Sequence, residues 1–169
     1  METESHAATA DRADLTIDSP TLRRMHGDWQ KRQRGSLLPG RSEFDVVDFK
    51  YILGRLNLVQ VHQDPLRFRY RVHGTECARL LGYDMTGKFV DQYPDPVYST
   101  RVCRNFSSVV ESPQPRCDLG KREVVDGRII HFEALILPLA EDGETVDMLM
   151  VALSLPQSSG SLRPEMAGL

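Results

Sequence analysis

Near its carboxyl end the chain has a nearly continuous apolar run over residues 146–155. Its apolar members include Val146, Met148, Leu149, Met150, Val151, Ala152 and Leu153. A β-strand with one face in water alternates apolar and polar residues, whereas an unbroken run indicates a strand that is covered on both faces. We therefore expect a central strand here, in a sheet that has apolar groups packed against each of its two sides.

A helix near the amino end is the simplest candidate for the cover on one side. Ser19 and Pro20 are typical of a helix start, because a serine side chain accepts a hydrogen bond from a free backbone N–H group and proline fits the first turn. Leu22, Met25 and Trp29 follow at spacings of i, i+3 and i+7, which places them on one helix face. We expect this stripe to pack either on the sheet of its own chain or against a second copy of the chain.

Two short β-rich runs, 56–62 and 68–73, flank a turn that contains Asp64-Pro65, and together they predict a β-hairpin. Around the second run, apolar side chains alternate with the basic residues Arg67, Arg69, Arg71 and His73. Because neighbours along a strand point to opposite faces, the apolar set should face the core and the basic row the other side.

The remaining segments complete an α+β pattern. Helices are predicted for about three turns from Ser42, over 75–81 and over 94–110. Strands are predicted at about 116–125, 129–139 and 146–155, with turns at Asp126-Gly127 and Glu141-Asp142-Gly143. Five strands joined mostly by hairpins give an antiparallel sheet with short helices over one face and the N-terminal helix beside it.

Several of these segments resemble a PAS domain. They are the strand-turn-strand of 56–73, the run Gly74-Thr75-Glu76-Cys77, the run from Leu81 to Lys88, and the closing three-stranded meander. The Trp29 helix, the Leu38-Pro39-Gly40-Arg41 segment and the Phe68-Arg69-Tyr70-Arg71 run are similar to the compact single-domain PAS proteins common in alphaproteobacteria. The resemblance covers about residues 20–155. It implies the strand order 2-1-5-4-3, with a cavity between the inner face of the sheet and the short helices.

The chain divides into four predicted parts. Residues 1–18 are expected to be a disordered tail, because Leu15 and Ile17 are their only large apolar groups. Residues 19–41 hold the N-terminal helix and a linker, and residues 42–156 form the PAS domain. Residues 157–169 are polar and contain glycine, so a second disordered tail is expected there.

The resemblance allows two cofactors to be tested against the residues. Flavin-adduct photosensors of this superfamily carry a reactive cysteine shortly after the position of Gly87-Lys88, where this sequence has Phe89 and Val90 and no thiol. Haem-binding relatives supply an axial histidine from the long helix, and residues 94–110 contain none. A strand-borne ligand remains open at His62, His73 or His131. We expect neither a flavin adduct nor haem, and the sequence names no other cofactor and no metal site.

A small molecule in the cavity would need a mostly apolar site with one or two polar contacts. The candidate lining residues are Tyr70, Thr75, Tyr83, Tyr98, Phe106 and Phe132. Among these, the Tyr70 hydroxyl and Thr75 are the predicted polar contacts. The same aromatic residues are equally consistent with simple packing.

The charge balance limits the partners that we expect. With 21 Lys and Arg against 24 Asp and Glu, the net charge of −3 argues against a nucleic-acid coat protein. Arg67, Arg69 and Arg71 could bind an anionic nucleotide such as a cyclic dinucleotide through guanidinium forks, or could pair with acidic neighbours. The sequence has no secretory signal and no membrane span, so a cytoplasmic protein is expected.

The functional interpretation from sequence is a non-enzymatic sensory and signalling module. His131 and Glu133 share one strand face, but the alternation around them sends both outward, as a solvated or interface pair rather than a catalytic one. The 14 residues after Leu155 are too few for an output domain, so a separate signalling protein is expected as partner. A homodimer is also expected, with an interface of Leu22, Met25, Trp29, Met148 and Met150. The alternatives are the anionic-nucleotide receptor and a small enzyme with a repurposed cavity.

Overall fold

A computed structural model describes residues 15–155 as an antiparallel sheet of five strands with helices on both sides. The elements are α1 (Pro20–Arg32), β1 (Leu56–His62), β2 (Arg67–Val72), α2 (Thr75–Leu81), α3 (Pro96–Glu111), β3 (Arg116–Glu123), β4 (Ile129–Leu139) and β5 (Met148–Ser154). The strand order is β2-β1-β5-β4-β3, and every neighbouring pair is antiparallel. The predicted fold class and strand order are confirmed. No helix among the described residues is long and apolar enough to cross a bilayer.

Helix α1 lies on the outer face of β4 and β5 of its own chain. Its start is stabilised as the sequence predicts, because the Ser19 hydroxyl accepts the backbone N–H of Leu22 at 3.3 Å and Pro20 occupies the first turn. The indole Nε1 of Trp29 donates to the backbone carbonyl of Pro138 on β4 at 2.9 Å. The helix therefore covers the second side of the central strand, as the unbroken apolar run indicated.

The five residues predicted for a dimer interface lie inside this intrachain contact or beside it. Leu22, Met25, Trp29 and Met150 are each at most 2% exposed, and Met148 is half-buried. Within one chain these side chains are already covered, so burial alone does not require a second subunit. Their role in a dimer stays a prediction.

The three-turn helix predicted from Ser42 is wrong. The structure has three short 3₁₀ segments there, Arg41–Glu43, Val46–Phe49 and Leu53–Arg55. The Asp45 carboxylate accepts the backbone N–H of Val47 at 3.0 Å, which starts a new turn and interrupts any continuous helix. The rings of Phe44 and Phe49 then pack together with centroids 5.7 Å apart, a pairing five residues apart that one helix face does not provide.

The predicted disordered tail extends to residue 18, but ordered contacts in the structure begin before that residue. Ile17 is buried with 8% exposure, and the backbone N–H groups of Asp18 and Ser19 donate to the Glu133 carboxylate at 2.7 and 2.8 Å. Ordered contacts therefore begin before the helix. The other tail predictions, for residues 1–14 and 157–169, lie outside the described residues.

The β4 strand presents its two faces as the alternation predicts. Ile130 and Phe132 face inward, whereas His131 and Glu133 face outward. The prediction that Glu133 is solvated or lies between subunits is wrong, because the start of α1 covers it and leaves it 7% exposed. A carboxylate in this position satisfies two backbone donors that α1 and its approach would otherwise bury unpaired.

Candidate functional site

The inner face of the sheet and helices α2 and α3 surround a cavity of about 100 Å³. Most of its lining is apolar, from side chains that include Val102, Phe106, Phe132, Ile136, Val151 and Leu153. Since pockets for drug-sized ligands begin at roughly 300 Å³, the cavity suits a single small ring or a short branched chain.

Asn57 contributes a buried amide to the lining from β1. Its Oδ1 accepts the backbone N–H of Gly74 at 2.9 Å, and its Nδ2 lies 3.9 Å from the Sγ of Cys77 on α2. Position 74 requires glycine, because a Cβ there would overlap the backbone carbonyl of Gly54. Burial raises the pKa of the Cys77 thiol to about 11, so this thiol is protonated at neutral pH and is a poor nucleophile.

His73 follows β2 and lines the same cavity with only 6% exposure. Its Nδ1 accepts the backbone N–H of Met85 at 3.2 Å. Burial lowers the pKa of His73, and the Asp84 carboxylate 3.6 Å away only partly opposes this effect. The imidazole is therefore neutral at physiological pH and holds the loop after α2 against the end of β2.

Four tyrosines form a connected group, and three of them line the cavity. The hydroxyls of Tyr70 and Tyr93 share a hydrogen bond of 2.8 Å. The ring of Tyr93 meets those of Tyr98 and Tyr83 edge-on, with centroids 5.0 and 6.1 Å apart. Burial raises the pKa values of Tyr70, Tyr93 and Tyr98, so all three phenols are neutral.

Arg122 brings a positive charge into this apolar site from β3. Its guanidinium lies over the ring of Tyr98, 3.5 Å from the centroid, and its Nη2 donates to the Tyr83 hydroxyl at 2.6 Å. Its Nε and Nη1 are buried without a hydrogen-bond partner among the described residues. Nor does it form an ion pair with any acidic group of residues 15–155.

A more open cleft of about 450 Å³ adjoins the cavity. Leu81, Tyr98, Arg101 and Arg122 line both spaces, so Arg122 lies where the two meet. Exposed apolar side chains stand around the cleft, from Val97, Val125 and Ile129. The geometry defines an enclosed apolar end, a cationic group at its entrance and a wider approach from solvent.

Four of the six predicted lining residues meet in the cavity, and two do not. Tyr70, Tyr98, Phe106 and Phe132 line it. Tyr83 lines the cleft and reaches the site only through its hydrogen bond to Arg122. Thr75 is exposed at the start of α2, because the buried face of this short helix is formed by Cys77 two residues later. Thr75 is therefore not a polar contact of the cavity.

Arg122 is a site residue that was not predicted, although the strand pattern around it indicates an inward position. Ile130 and Phe132 are predicted to face inward, and Asp126-Gly127 is the predicted turn between the strands 116–125 and 129–139. In the structure this turn places Arg122 opposite Ile130 and Gly120 opposite Phe132, which brings the Arg122 side chain to the inner face. At Gly120 a Cβ would overlap the Phe132 ring, so the glycine leaves room for the end of that ring beside β3.

The basic row on β2 is largely occupied by internal contacts. Arg67 binds both carboxylate oxygens of Asp91, at 2.9 and 3.0 Å, and lies 3.7 Å from the ring centroid of Phe89. The Nε of Arg69 donates to the backbone carbonyl of Gly87 at 2.9 Å. Arg71 is exposed. The anion-binding role of this row stays a prediction.

Sequence comparison agrees with the fold. A sequence model described as the PAS domain matches residues 17–154. The chain belongs to the PAS domain family, as the resemblance in the sequence indicated. No curated protein matches the chain significantly.

Solved structures with the same fold are distant in sequence. VqmA bound to DPO is 10% identical, with a TM-score of 0.50, over 61% of this chain and 53% of that chain, so the match spans about half of VqmA. The LOV protein of Rhodobacter sphaeroides is 12% identical, with a TM-score of 0.48, over 79% of this chain and 70% of its own. A PAS domain from Colwellia psychrerythraea is 18% identical, with a TM-score of 0.43, over 66% and 92%. The similarity to VqmA bears on the fold alone.

Proposed function

We propose that this PAS domain is a non-enzymatic cytoplasmic sensor that binds a small molecule in its cavity and signals through helix α1. The observation that carries the proposal is that β4 and β5 take part in both sites. Ile136 and Val151 line the cavity, whereas Leu135 and Met150 beside them are buried on the face that α1 covers. Because neighbours along a strand project to opposite faces, a shift that accommodates a ligand also moves the surface under α1.

The size of the cavity indicates how strong such a signal can be. Filling an empty apolar space contributes about 24 cal/mol per Å³, or roughly 2 kcal/mol for this volume. A ligand can shift an equilibrium only by the difference between its affinities for the two states. A small ring that binds only one of the two states can therefore change the docking equilibrium of α1 by at most one to two orders of magnitude, which is sufficient for a sensor.

Dimerisation and a separate signalling protein are the proposed output. Leu22, Met25 and Trp29 can contact a second chain only if α1 leaves its own sheet, so a dimer through this stripe would form by exchange of the helix. Ligand binding would then bias the exchange. VqmA, which has the same fold, has a structure bound to the ligand DPO, and this supports ligand binding by such a domain.

Two measurements on the full chain test the sensor. Native mass spectrometry of freshly purified protein reports retained small molecules and the number of subunits together. Amide exchange of α1 is then measured with benzene as a neutral cavity probe. We expect benzene to bind and to change the exchange rates over residues 22–29 by at least threefold.

The matched control is Ala134→Phe, which fills the cavity from the inner face of β4. Benzene should have no effect on α1 in this variant. If no retained mass is found, and benzene neither binds nor changes α1 exchange in the wild type, the sensor proposal fails. If the protein is a monomer at every concentration measured, the dimerisation part of the proposal is wrong, whereas the ligand-binding part is unaffected.

A further inference from the structure

We propose that the ligand of this cavity is a small organic monocarboxylate with an apolar body, and that Arg122 binds its carboxylate. The inference rests on the proposed function, since it names the class of molecule that the sensor detects. It assigns the apolar body to the enclosed space and the carboxylate to the entrance.

Arg122 has no negative partner among residues 15–155. Two of its three nitrogens, Nε and Nη1, are buried without a hydrogen bond to any described residue. A guanidinium has five N–H donors and cannot lose its charge at physiological pH, so leaving donors buried and unpaired is unfavourable. A bound carboxylate would accept a hydrogen bond from one of these nitrogens and balance the charge.

The carboxylate that lines the cavity is already paired with another arginine. Arg116 donates to Asp118 at 2.6 Å, and this carboxylate is the acidic group in the cavity lining. Arg122 therefore keeps a charge that its neighbours in the described fold do not neutralise.

The position of Arg122 is fixed before any ligand arrives. Tyr98 lies under the guanidinium, and the Tyr83 hydroxyl accepts a hydrogen bond from Nη2. The ring of Tyr93 is 5.5 Å away. These phenols are neutral because burial raises their pKa values, so none of them supplies the missing negative charge. A preorganised guanidinium loses little freedom on binding an anion.

The remaining lining limits the size of the molecule. The enclosed space of about 100 Å³ accepts one aromatic ring or a branched chain against Phe106, Phe132 and Ile136. A nucleotide is far larger than this space and could reach only the cleft. The observations therefore favour a compact monocarboxylate, and benzoate is the simplest probe with these features.

The test compares three probes by isothermal titration: benzoate, benzyl alcohol and inorganic phosphate. Benzyl alcohol keeps the ring and lacks the charge, whereas phosphate has the charge and lacks the ring. We expect benzoate to bind the wild-type chain at least tenfold more tightly than benzyl alcohol, and phosphate to show no competition with benzoate. Phosphate that displaces benzoate would instead indicate a general anion site and would overturn the proposal.

Arg122→Gln is the diagnostic variant, and Arg104→Gln is its matched control. Arg104 lies on helix α3, is exposed, and lines neither the cavity nor the cleft. Arg122→Gln should weaken benzoate at least tenfold and leave benzyl alcohol unchanged, whereas Arg104→Gln should change benzoate less than threefold. Circular dichroism and urea unfolding verify that each variant is folded.

Two outcomes separate this inference from the sensor proposal. If benzene binds and changes α1 but benzoate shows no preference over benzyl alcohol, the cavity is a sensor site and the carboxylate inference is wrong. Equal benzoate affinity in the wild type and Arg122→Gln would also overturn the carboxylate inference. If no probe enters the cavity and benzene leaves α1 unchanged, the sensor proposal fails as well.

Discussion

The carboxylate of Glu133 on β4 accepts the backbone N–H of Ser19 at 2.8 Å, and Ser19 is the residue that caps helix α1. A buried side chain of the sheet therefore holds the start of the helix that covers it. The same carboxylate accepts the N–H of Asp18 at 2.7 Å. The docking of α1 and the position of β4 are coupled through these two hydrogen bonds.

Replacing Glu133 should release the start of α1. In Glu133→Ala two backbone donors lose a charged acceptor inside the protein, and each unsatisfied donor costs about 1–3 kcal/mol. We expect the free energy of unfolding in urea to fall by about 3 kcal/mol, with faster amide exchange over residues 18–25. Glu123→Ala on the neighbouring strand, where the side chain is exposed, is the control and should change stability by less than about 0.5 kcal/mol. Equal losses in both variants would contradict this role.

Trp29 is the only tryptophan of the chain and reports directly on α1 docking. It is 2% exposed, and its Nε1 donates to the Pro138 carbonyl. Trp29→Ala should lower the free energy of unfolding by about 3–5 kcal/mol, because it leaves a large cavity under the helix. Trp29→Phe retains most of the packing and should cost less. Circular dichroism measures both variants, since the fluorescence signal is lost with the indole.

The same tryptophan gives a measurement for the wild type. Its emission should be that of a buried indole and should move to longer wavelength in Glu133→Ala if α1 detaches. An unchanged emission maximum, together with a loss of stability, would mean that the helix stays docked and that Glu133 acts only locally.

The strands and their order could be predicted because their signals are local or belong to the family resemblance. The unbroken apolar run that became β5 and the Asp126-Gly127 turn both predicted their elements correctly. The segment from Ser42 failed because one side chain, Asp45, restarts the backbone turn, and apolar spacing does not reveal such a cap. Arg122 was missed because its partners Tyr83 and Tyr98 are far from it in sequence and meet it only in the fold.

Acidic pH should weaken the fold through His73. Burial lowers the pKa of His73 below its ordinary value of 6.5, so the unfolded chain binds a proton more readily than the native one. The stability that neutral His73 provides is therefore fully present above about pH 6.5 and falls as the pH drops below that value. Urea unfolding between pH 7.5 and 5 should show a free energy that decreases with acidification.

His73→Asn is the variant for this pH dependence, because an amide oxygen can accept the Met85 N–H without titrating. The slope of unfolding free energy against pH should be smaller in this variant than in the wild type. His26, whose pKa burial also lowers, remains in both proteins and contributes equally to each. Identical slopes would show that His73 is not the group that titrates.

Gly120→Ala should close the cavity from the side of β3. A Cβ at this position overlaps the ring of Phe132, so the ring must turn into the cavity or the strands must separate. We expect a loss of about 1–3 kcal/mol in unfolding free energy and a loss of benzene binding by titration. Gly27→Ala in α1 is the matched glycine control, because its added Cβ meets no atom within 4 Å. That change should instead stabilise the helix by about 0.5–1 kcal/mol and leave benzene binding intact. If Gly120→Ala binds benzene as well as the wild type, Phe132 is not the movable wall of this cavity.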